Sequence, residues 1–465
     1  MSRKFQCRAV PSSWLENNGR RLDCGPYMSG AIEAKELLKK IKTENLSALT
    51  SGYNGGIYNG PQFVRNYVDD PAYGVPFLTT STMLQADMTN LPMISAKDAH
   101  SAKLSYLKVE EGMTLITCSG SIGRMAYARK DMADCWSNQD IMKVVADPNK
   151  ISPGYLYAYL SSRFGVPIVI SGTYGAIIQH IEPHHIADLP VPRLGEVENQ
   201  AHELIQQAAD LRTEASRIIA EQVEALELEI AGGPVVWEHT KPQSFSIETR
   251  IMRGFINRLD AFHYIGFVGE ALEKARVPLV EISDHADALY PPFMKRIRVE
   301  EHGVEFLGGA EMLTLDQRSE SHIASSTKNL KQFIVKEGYV LFQCDGQRYG
   351  IFGRPILANR NVIGKAVTQH MMRIIPYDNR DSGYIFTYLA TGFGRRLLMR
   401  FSAGTSIPSL NEDGARNILI YWPNEQRRWS ISQAAEQAWE NRASATELED
   451  QARSLVERTI EEGDS

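Results

Sequence analysis

Cysteine is scarce in this 465-residue chain. The five present (Cys7, Cys24, Cys118, Cys135 and Cys344) are an odd number, widely scattered and without a C-x-x-C pair. That argues against a disulfide framework and against a cysteine zinc site. Long apolar runs are missing as well: no uncharged stretch approaches the roughly 18 residues of a membrane span. The opening Met1, Ser2, Arg3, Lys4 and Phe5 have no apolar segment behind them, so they do not read as a secretory signal. Nor is the composition extreme. Apolar residues make up 43% and charged residues 23%, which excludes wholesale disorder. A soluble, cytoplasmic protein is the expectation, and its length predicts about three units at roughly 150 residues each.

The net charge of −6 hides an uneven distribution. Residues 196–230 hold nine acidic and two basic side chains, and 425–465 hold ten and five, so the remainder of the chain carries +6. Acid is confined to two segments, and everything else is mildly basic.

That remainder is written twice. Arg21, Leu22, Asp23 and Tyr27 recur as Arg258, Leu259, Asp260 and Tyr264 at an offset of 237. Glu111, Gly112 and Leu115 recur as Glu337, Gly338 and Leu341 at 226, and Gly120 then falls on Gly346. Phe77 and Leu78 return as Phe306 and Leu307 at 229. At that same offset Gly154, Tyr155, Tyr159, Leu160, Phe164 and Gly165 return as Gly383, Tyr384, Tyr388, Leu389, Phe393 and Gly394. Nearly constant spacing in unbroken order marks a duplicated domain, far longer than a solenoid repeat. Within each copy the texture is β with glycine turns, followed by a short helix. Met113–Cys118 reads as a strand entering the Ser119–Gly123 turn, and Tyr339–Cys344 does the same before Asp345 and Gly346. Residues 154–164 read as helical, with Pro153 near the start. The predicted class is α+β.

The acidic segments follow the two copies and have helical spacing. Leu204, Ala208, Leu211, Ala215 and Ile218 step by fours and threes, and Leu448, Ala452 and Leu455 do likewise. Two long amphipathic helices are predicted, and neither can bury its seam alone. Antiparallel pairing would relate the copies by a pseudo-two-fold axis; the alternative is two independent helices, each lying on its own globule. A 35-residue helix spans about 52 Å at ~1.5 Å per residue. The expected order is a globule (1–195), a helix (196–232), a linker (233–245), a second globule (246–424) and a second helix (425–465).

Catalytic patterns are weak. Asp70, Pro71, Ala72 and Tyr73 resemble the amine-gripping motif of amino-methyltransferases, but a second proline and an upstream F-x-G-x-G loop are missing, so a turn is expected. His180, Glu182, His184 and His185 could hold a metal, except that Pro183 interrupts the helix that would align them. Ser119–Gly123 lacks the G-K-[ST] ending of a phosphate loop. What remains is binding. Mildly basic globules suit duplex DNA, whose phosphates supply affinity and whose base edges supply sequence. The side chains expected to reach DNA from glycine-rich turns are Thr79, Thr80, Ser119, Ser121, Arg124, Tyr174 and Gln179 in the first copy. In the second they are Gln343, Gln347, Arg348, Tyr349, Arg395, Arg396 and Arg400. Since the copies differ at these places, they should read different halves of an asymmetric target.

This arrangement resembles the specificity subunit of type I restriction–modification enzymes. The resemblance is carried by the R-L-D-x-x-x-Y motifs at Arg21 and Arg258, by Gly74–Leu78 leading into Met83, and by Glu111–Ile116 with Ser119–Arg124. Pro153–Leu156, Ser171–Gly175, Leu189–Pro192 and the helix bearing Asn199 and Gln200 complete it. The second copy departs from the pattern: Gly346–Gly350 replaces the S-G-S-x-G-R turn, and Trp422 and Pro423 replace the Leu-Pro-Val-Pro run. The resemblance implies two target-recognition domains separated by spacer helices, binding a bipartite double-stranded DNA site. It also implies a non-catalytic chain that docks two adenine methyltransferase subunits, which bring S-adenosylmethionine; a translocase–nuclease subunit can join them. The rival readings are a self-sufficient DNA methyltransferase using Asp70–Tyr73, and a coiled-coil scaffold without DNA contact.

Overall fold

The computed structural model describes residues 7–17, 20, 22, 24–88, 91–172, 180–234, 244, 246, 260–264, 272–300, 302–348 and 350–463. Arg21, Asp23, Tyr174, Gln179, Arg258, Leu259 and Tyr349 lie outside the described residues, as does most of the expected linker. The chain forms two compact units, Met1–Thr213 with Ser444–Ser465, and Glu214–Ala443.

The strands of the first unit are β1 (Thr43–Asn45), β2 (Ile57–Tyr58), β3 (Tyr67–Val68), β4 (Gly74–Leu78), β5 (Met93–Ser95), β6 (Thr114–Thr117), β7 (Met125–Tyr127), β8 (Trp136–Ser137), β9 (Ile141–Val144) and β10 (Pro190–Pro192). They make a β2-β9-β6-β7 sheet, a β3-β5-β4-β8 sheet and a β1-β10 pair. All pairings are antiparallel except β4 with β8. Central strands β6 and β9 are buried on both faces, so their apolar residues run on without alternating.

The second unit contains β11 (Leu279–Glu281), β12 (Ala286–Leu289), β13 (Arg298–Val299), β14 (Gly303–Leu307), β15 (His322–Ala324), β16 (Val340–Gln343), β17 (Pro355–Leu357), β18 (Ala366–Val367), β19 (Met371–Pro376) and β20 (Leu419–Tyr421). Their orders are β12-β19-β16-β17, β13-β15-β14-β18 and β11-β20, and β14 again pairs with β18 in parallel. Strand for strand this is the topology of the first unit.

The recurring tyrosines and glycines have equivalent work in both units. Helix α1 (Pro153–Leu160), with proline at its favoured first position, is followed by α2 (Gly165–Ser171). Tyr155 and Tyr159, one turn apart on α1, donate to the carbonyls of Pro192 and Pro190 on β10. The counterparts Tyr384 and Tyr388 donate to Tyr421 and Leu419 on β20. The helix expected over 154–164 stops at Leu160, and the Ser162 hydroxyl accepts from Gly165 N–H (3.1 Å), where the next helix begins.

The long helices are α3 (Glu196–Ala231) and, beyond α4 (Ser382–Ala390) and α5 (Gly392–Arg400), α6 (Glu425–Glu462). Each unit takes one half of α3 and one half of α6. Within the first unit Ala201, Ile205 and Ala209 of α3 join a core with Ala452, Val456 and Ile460 of α6. Within the second, Ala215, Ile219, Leu226 and Ile230 join one with Ile431, Ala435, Ala438 and Trp439. Arg212 meets Glu449 in the first unit and Glu229 meets Arg427 in the second. Partners therefore advance along α3 while they retreat along α6, and the two helices are antiparallel.

The buried stripe runs one residue away from much of the spacing read in the sequence. Ala208, Ala215 and Ala452 are fully buried, whereas Leu204, Leu211, Ile218, Leu448 and Leu455 are half-buried beside it. The stripe instead carries Ile205, Arg212, Ile219, Glu449 and Val456. A charged residue interrupts it on each helix, which is why apolar spacing alone slides to the neighbouring leucines.

Candidate nucleic-acid interface

In the first unit, parallel pairing of β4 with β8 sets Leu78 beside Ser137, so the loops following both strands leave from the same end. Asn138 N–H donates to Leu78 O (2.8 Å). The end of β6 faces the start of β9, Thr117 opposite Ile141, and Cys118 N–H donates to Asp140 O (2.9 Å). His180 bridges to Ser119. One end of the unit thus gathers Thr79 and Thr80, the 119–124 hairpin, 138–140 and His180.

Thr117 clamps that hairpin: its hydroxyl donates to Ser121 O and accepts from Arg124 N–H at 3.0 Å. Gly120 turns it with φ +74°, a left-handed value that suits a residue without Cβ. Ser121 and Arg124 are exposed, while Ser119 and Thr80 are half-buried. Thr79 is engaged internally, exchanging hydrogen bonds with Thr82 through both backbone and hydroxyl groups.

The second unit builds the same end from different residues. Leu307 lies beside Val367, Thr368 N–H donates to Leu307 O (3.0 Å), and Cys344 N–H donates to His370 O (2.9 Å). Asp345 takes the place of Ser119. It accepts from His370 Nδ1 at 2.7 Å and from the Tyr290 hydroxyl at 3.3 Å. Gln347 is exposed, with Nε2 on Ser406 O at 3.0 Å. Gln343 is half-buried and donates to Asp345 O at 2.9 Å.

The arginines of this unit lie deeper than their spacing implied. Arg348 donates to Ser402 through Nε (2.7 Å) and Nη2 (3.2 Å) and stacks over Phe262. Arg395 reaches Gly350 O (3.4 Å), Arg400 is half-buried, and Arg396 is 2% exposed.

Beneath each loop cluster lies a buried cation. Lys143 on β9 stands opposite Leu115, and Arg373 on β19 stands opposite Leu341. Lys143 donates to Ile141 O (3.3 Å), and burial pushes its pKa down to about 7. Arg373 donates to the carbonyls of Thr368, Met371, Phe333 and Val367 and so ties down the loop after β18.

The chemistry available here is hydrogen bonding. The two cysteines at equivalent places, Cys118 and Cys344, are buried thiols; burial pushes Cys118 up to about 12 and Cys344 well above its usual value, so neither is a thiolate nucleophile. Asp70 accepts from Ala72 N–H (2.9 Å) in an exposed turn, as expected for that motif. His185 accepts from Glu182 N–H as a helix cap, and His184 packs against it. Among the described residues no group of three or more His, Cys, Asp and Glu side chains is placed to hold a metal. Nor is any described helix long and apolar enough to cross a membrane.

Sequence reasoning passed over the loops that follow β8 and β18. Asn138, Gln139 and Asp140, with Thr368, Gln369 and His370, sit at the centre of their clusters. A signal was present: Gln139 and Met142 recur as Gln369 and Met372 at an offset of 230.

The fold and the site define an α+β protein with two units of one topology, two long antiparallel helices and a polar loop cluster in each unit. No protein-family model matches the chain, and no curated protein does. Among solved structures it is similar to a type I restriction–modification S subunit from M. genitalium, at 11% identity over 90% of this chain and 93% of that one, with a TM-score of 0.30. It is also similar to the HsdS subunit from Thermoanaerobacter tengcongensis, at 11% identity over 90% and 96%, TM-score 0.27. A third similar chain comes from a structure concerned with complex assembly and conformational transition of the type I restriction–modification system, at 12% identity over 90% and 97%, TM-score 0.27.

Proposed function

We propose that this chain is a non-catalytic DNA-specificity subunit of a type I restriction–modification system, each unit reading one part of a bipartite, asymmetric duplex site. The observation that carries the reading is the duplicated topology ending in two loop clusters of unlike residues: Ser119, Ser121, Arg124 and Asp140 in one, Asp345, Gln347 and His370 in the other. One fold twice over, with different hydrogen-bonding groups at the same end, suits one ligand read at two different sequences. Phosphate contacts supply affinity and base edges supply the choice.

The acidic faces of α3 and α6 are unsuited to DNA and serve protein partners, two adenine methyltransferase subunits and, where present, a translocase–nuclease subunit. S-adenosylmethionine enters with the methyltransferase. Methylating a base within a duplex requires flipping it out, so one chain holds the DNA while another performs the chemistry. The test is a single-molecule methylome of cells with and without the gene. One split adenine-methylated motif should vanish on deletion, and an unchanged methylome would refute the reading.

A further inference from the structure

Gln139 and Gln369 share a local geometry at equivalent places in the two units. Each is half-buried at the centre of its loop cluster, two residues beyond the end of the strand that pairs with β4 or β14. Each has its side-chain oxygen taken from within. Arg65, on the segment leading into β3, donates Nη2 to Gln139 Oε1 at 3.3 Å. Met294, on the segment leading into β13, donates its backbone N–H to Gln369 Oε1 at 3.4 Å.

A guanidinium and a backbone N–H can only donate. Whatever faces them must be the amide oxygen, and the amide orientation is fixed by chemistry. Among the described residues no group accepts from Nε2 of either glutamine. Both units therefore hold an amide pinned by its oxygen, with its NH2 group unclaimed, although the pinning donor is a side chain in one and backbone in the other. The flanking residues diverge, Asn138 and Asp140 against Thr368 and His370, while the glutamine stays.

We infer that Gln139 and Gln369 are twin specificity-determining residues, each donating through Nε2 to an acceptor on a base edge in the major groove. This rests on the proposed DNA-reading function. The usual glutamine–adenine pairing uses both amide atoms, and here the oxygen is turned inward. The acceptors that remain are guanine O6 and N7, thymine O4 and adenine N7. Cytosine offers a donor at that edge and is excluded.

The experiment is selection from a randomised pool of DNA duplexes by the full-length chain isolated with its native partners, for wild type, Gln139→Glu and Gln369→Glu. Glutamate keeps the inner hydrogen bond but presents an acceptor outward, which suits the cytosine amino group. Gln139→Glu should lose roughly ten- to hundredfold of its discrimination at one base position in one half of the motif and gain cytosine there. Gln369→Glu should do the same in the other half alone. The untouched half certifies that the chain is folded. Gln139→Met and Gln369→Met, which donate nothing, should relax the same positions without gaining cytosine.

Motifs unchanged in every variant overturn the inference, as does a uniform loss of affinity with the motif intact, which marks a phosphate contact. Loss of both halves from single glutamate and methionine variants also overturns it. A wild-type chain that enriches no sequence refutes the DNA-reading function itself, a result distinct from all of these.

Discussion

Arg212 on α3 and Glu449 on α6 form an ion pair with both residues under a tenth exposed. Glu449 also receives Arg453 (3.5 Å) and the Tyr157 hydroxyl (3.5 Å), so helix α1 reaches the same carboxylate. A buried pair of this kind is weak grounds for stability in itself, but removing one partner strands a charge in the interior. It also fixes the register of two acidic helices that apolar spacing leaves ambiguous.

Glu449→Gln or Arg212→Met should therefore cost about 3–5 kcal/mol, while the double replacement Arg212→Met with Glu449→Leu recovers most of it. Urea unfolding measures the difference. Burial alone would raise the Glu449 pKa, but Arg212 and Arg453 outweigh it and hold the carboxyl below its usual value. The folded-state pKa being the lower one, the contribution is complete above the ordinary carboxylate range and disappears as pH falls through the lowered value. Wild type and Glu449→Gln should converge in stability on acidification.

Register has its own test. Val456 is fully buried and Leu455 half-buried, although apolar spacing favours the leucine. Val456→Asp should destabilise the first unit by about 3 kcal/mol or more through an unpaired buried charge, and Leu455→Asp by clearly less. Equal losses in thermal unfolding would contradict the packing.

Gly154 and Gly383 mark where α1 approaches α3 and α4 approaches α6. A Cβ on Gly154 would come within 2.6 Å of His202 Nδ1 and 2.9 Å of its carbonyl oxygen; on Gly383 it would lie 2.7 Å from Ser432 Cα. Their N–H groups donate to His202 Nδ1 (3.2 Å) and Ser432 Oγ (2.9 Å). Because backbone atoms bound both spaces, alanine at either place should cost about 1–3 kcal/mol. Circular dichroism melts of the two variants provide the check.

Lys143 predicts a pH dependence of the same sign, in a higher range, from a group whose burial destabilises the fold. Its folded-state pKa, lowered by burial to about 7, lies below the unfolded value. Between about pH 7 and the ordinary lysine range the unfolded chain binds more protons, so stability rises with pH at up to about 1.4 kcal/mol per unit. Lys143→Met should flatten that slope and raise stability at neutral pH. Urea unfolding between pH 6 and pH 9 reads both effects.

Much of this architecture was legible without coordinates. The offsets near 229 announced one domain twice, and the glycine–tyrosine matches fell on the residues that seat α1 on β10 and α4 on β20. Strands β6 and β16 and the ends of both long helices were read to within a few residues, since apolar run length, proline and glycine act locally. The loop clusters were half legible. Turns 119–124 and 345–348 carry glycine and stood out, whereas 138–140 and 368–370 contain none and gain their place only because a parallel strand pair brings them there.

The sequence by itself determined the duplication, the α+β class and the long acidic helices, because these follow from composition and periodicity along neighbouring residues. Only the tertiary structure decided which helix face is buried, which arginines turn inward and which glutamines stand among the reading loops. Those outcomes depend on partners far away in the chain: Arg212 meets a carboxylate 237 residues on, and no local pattern records whether a charge will find its counter-charge.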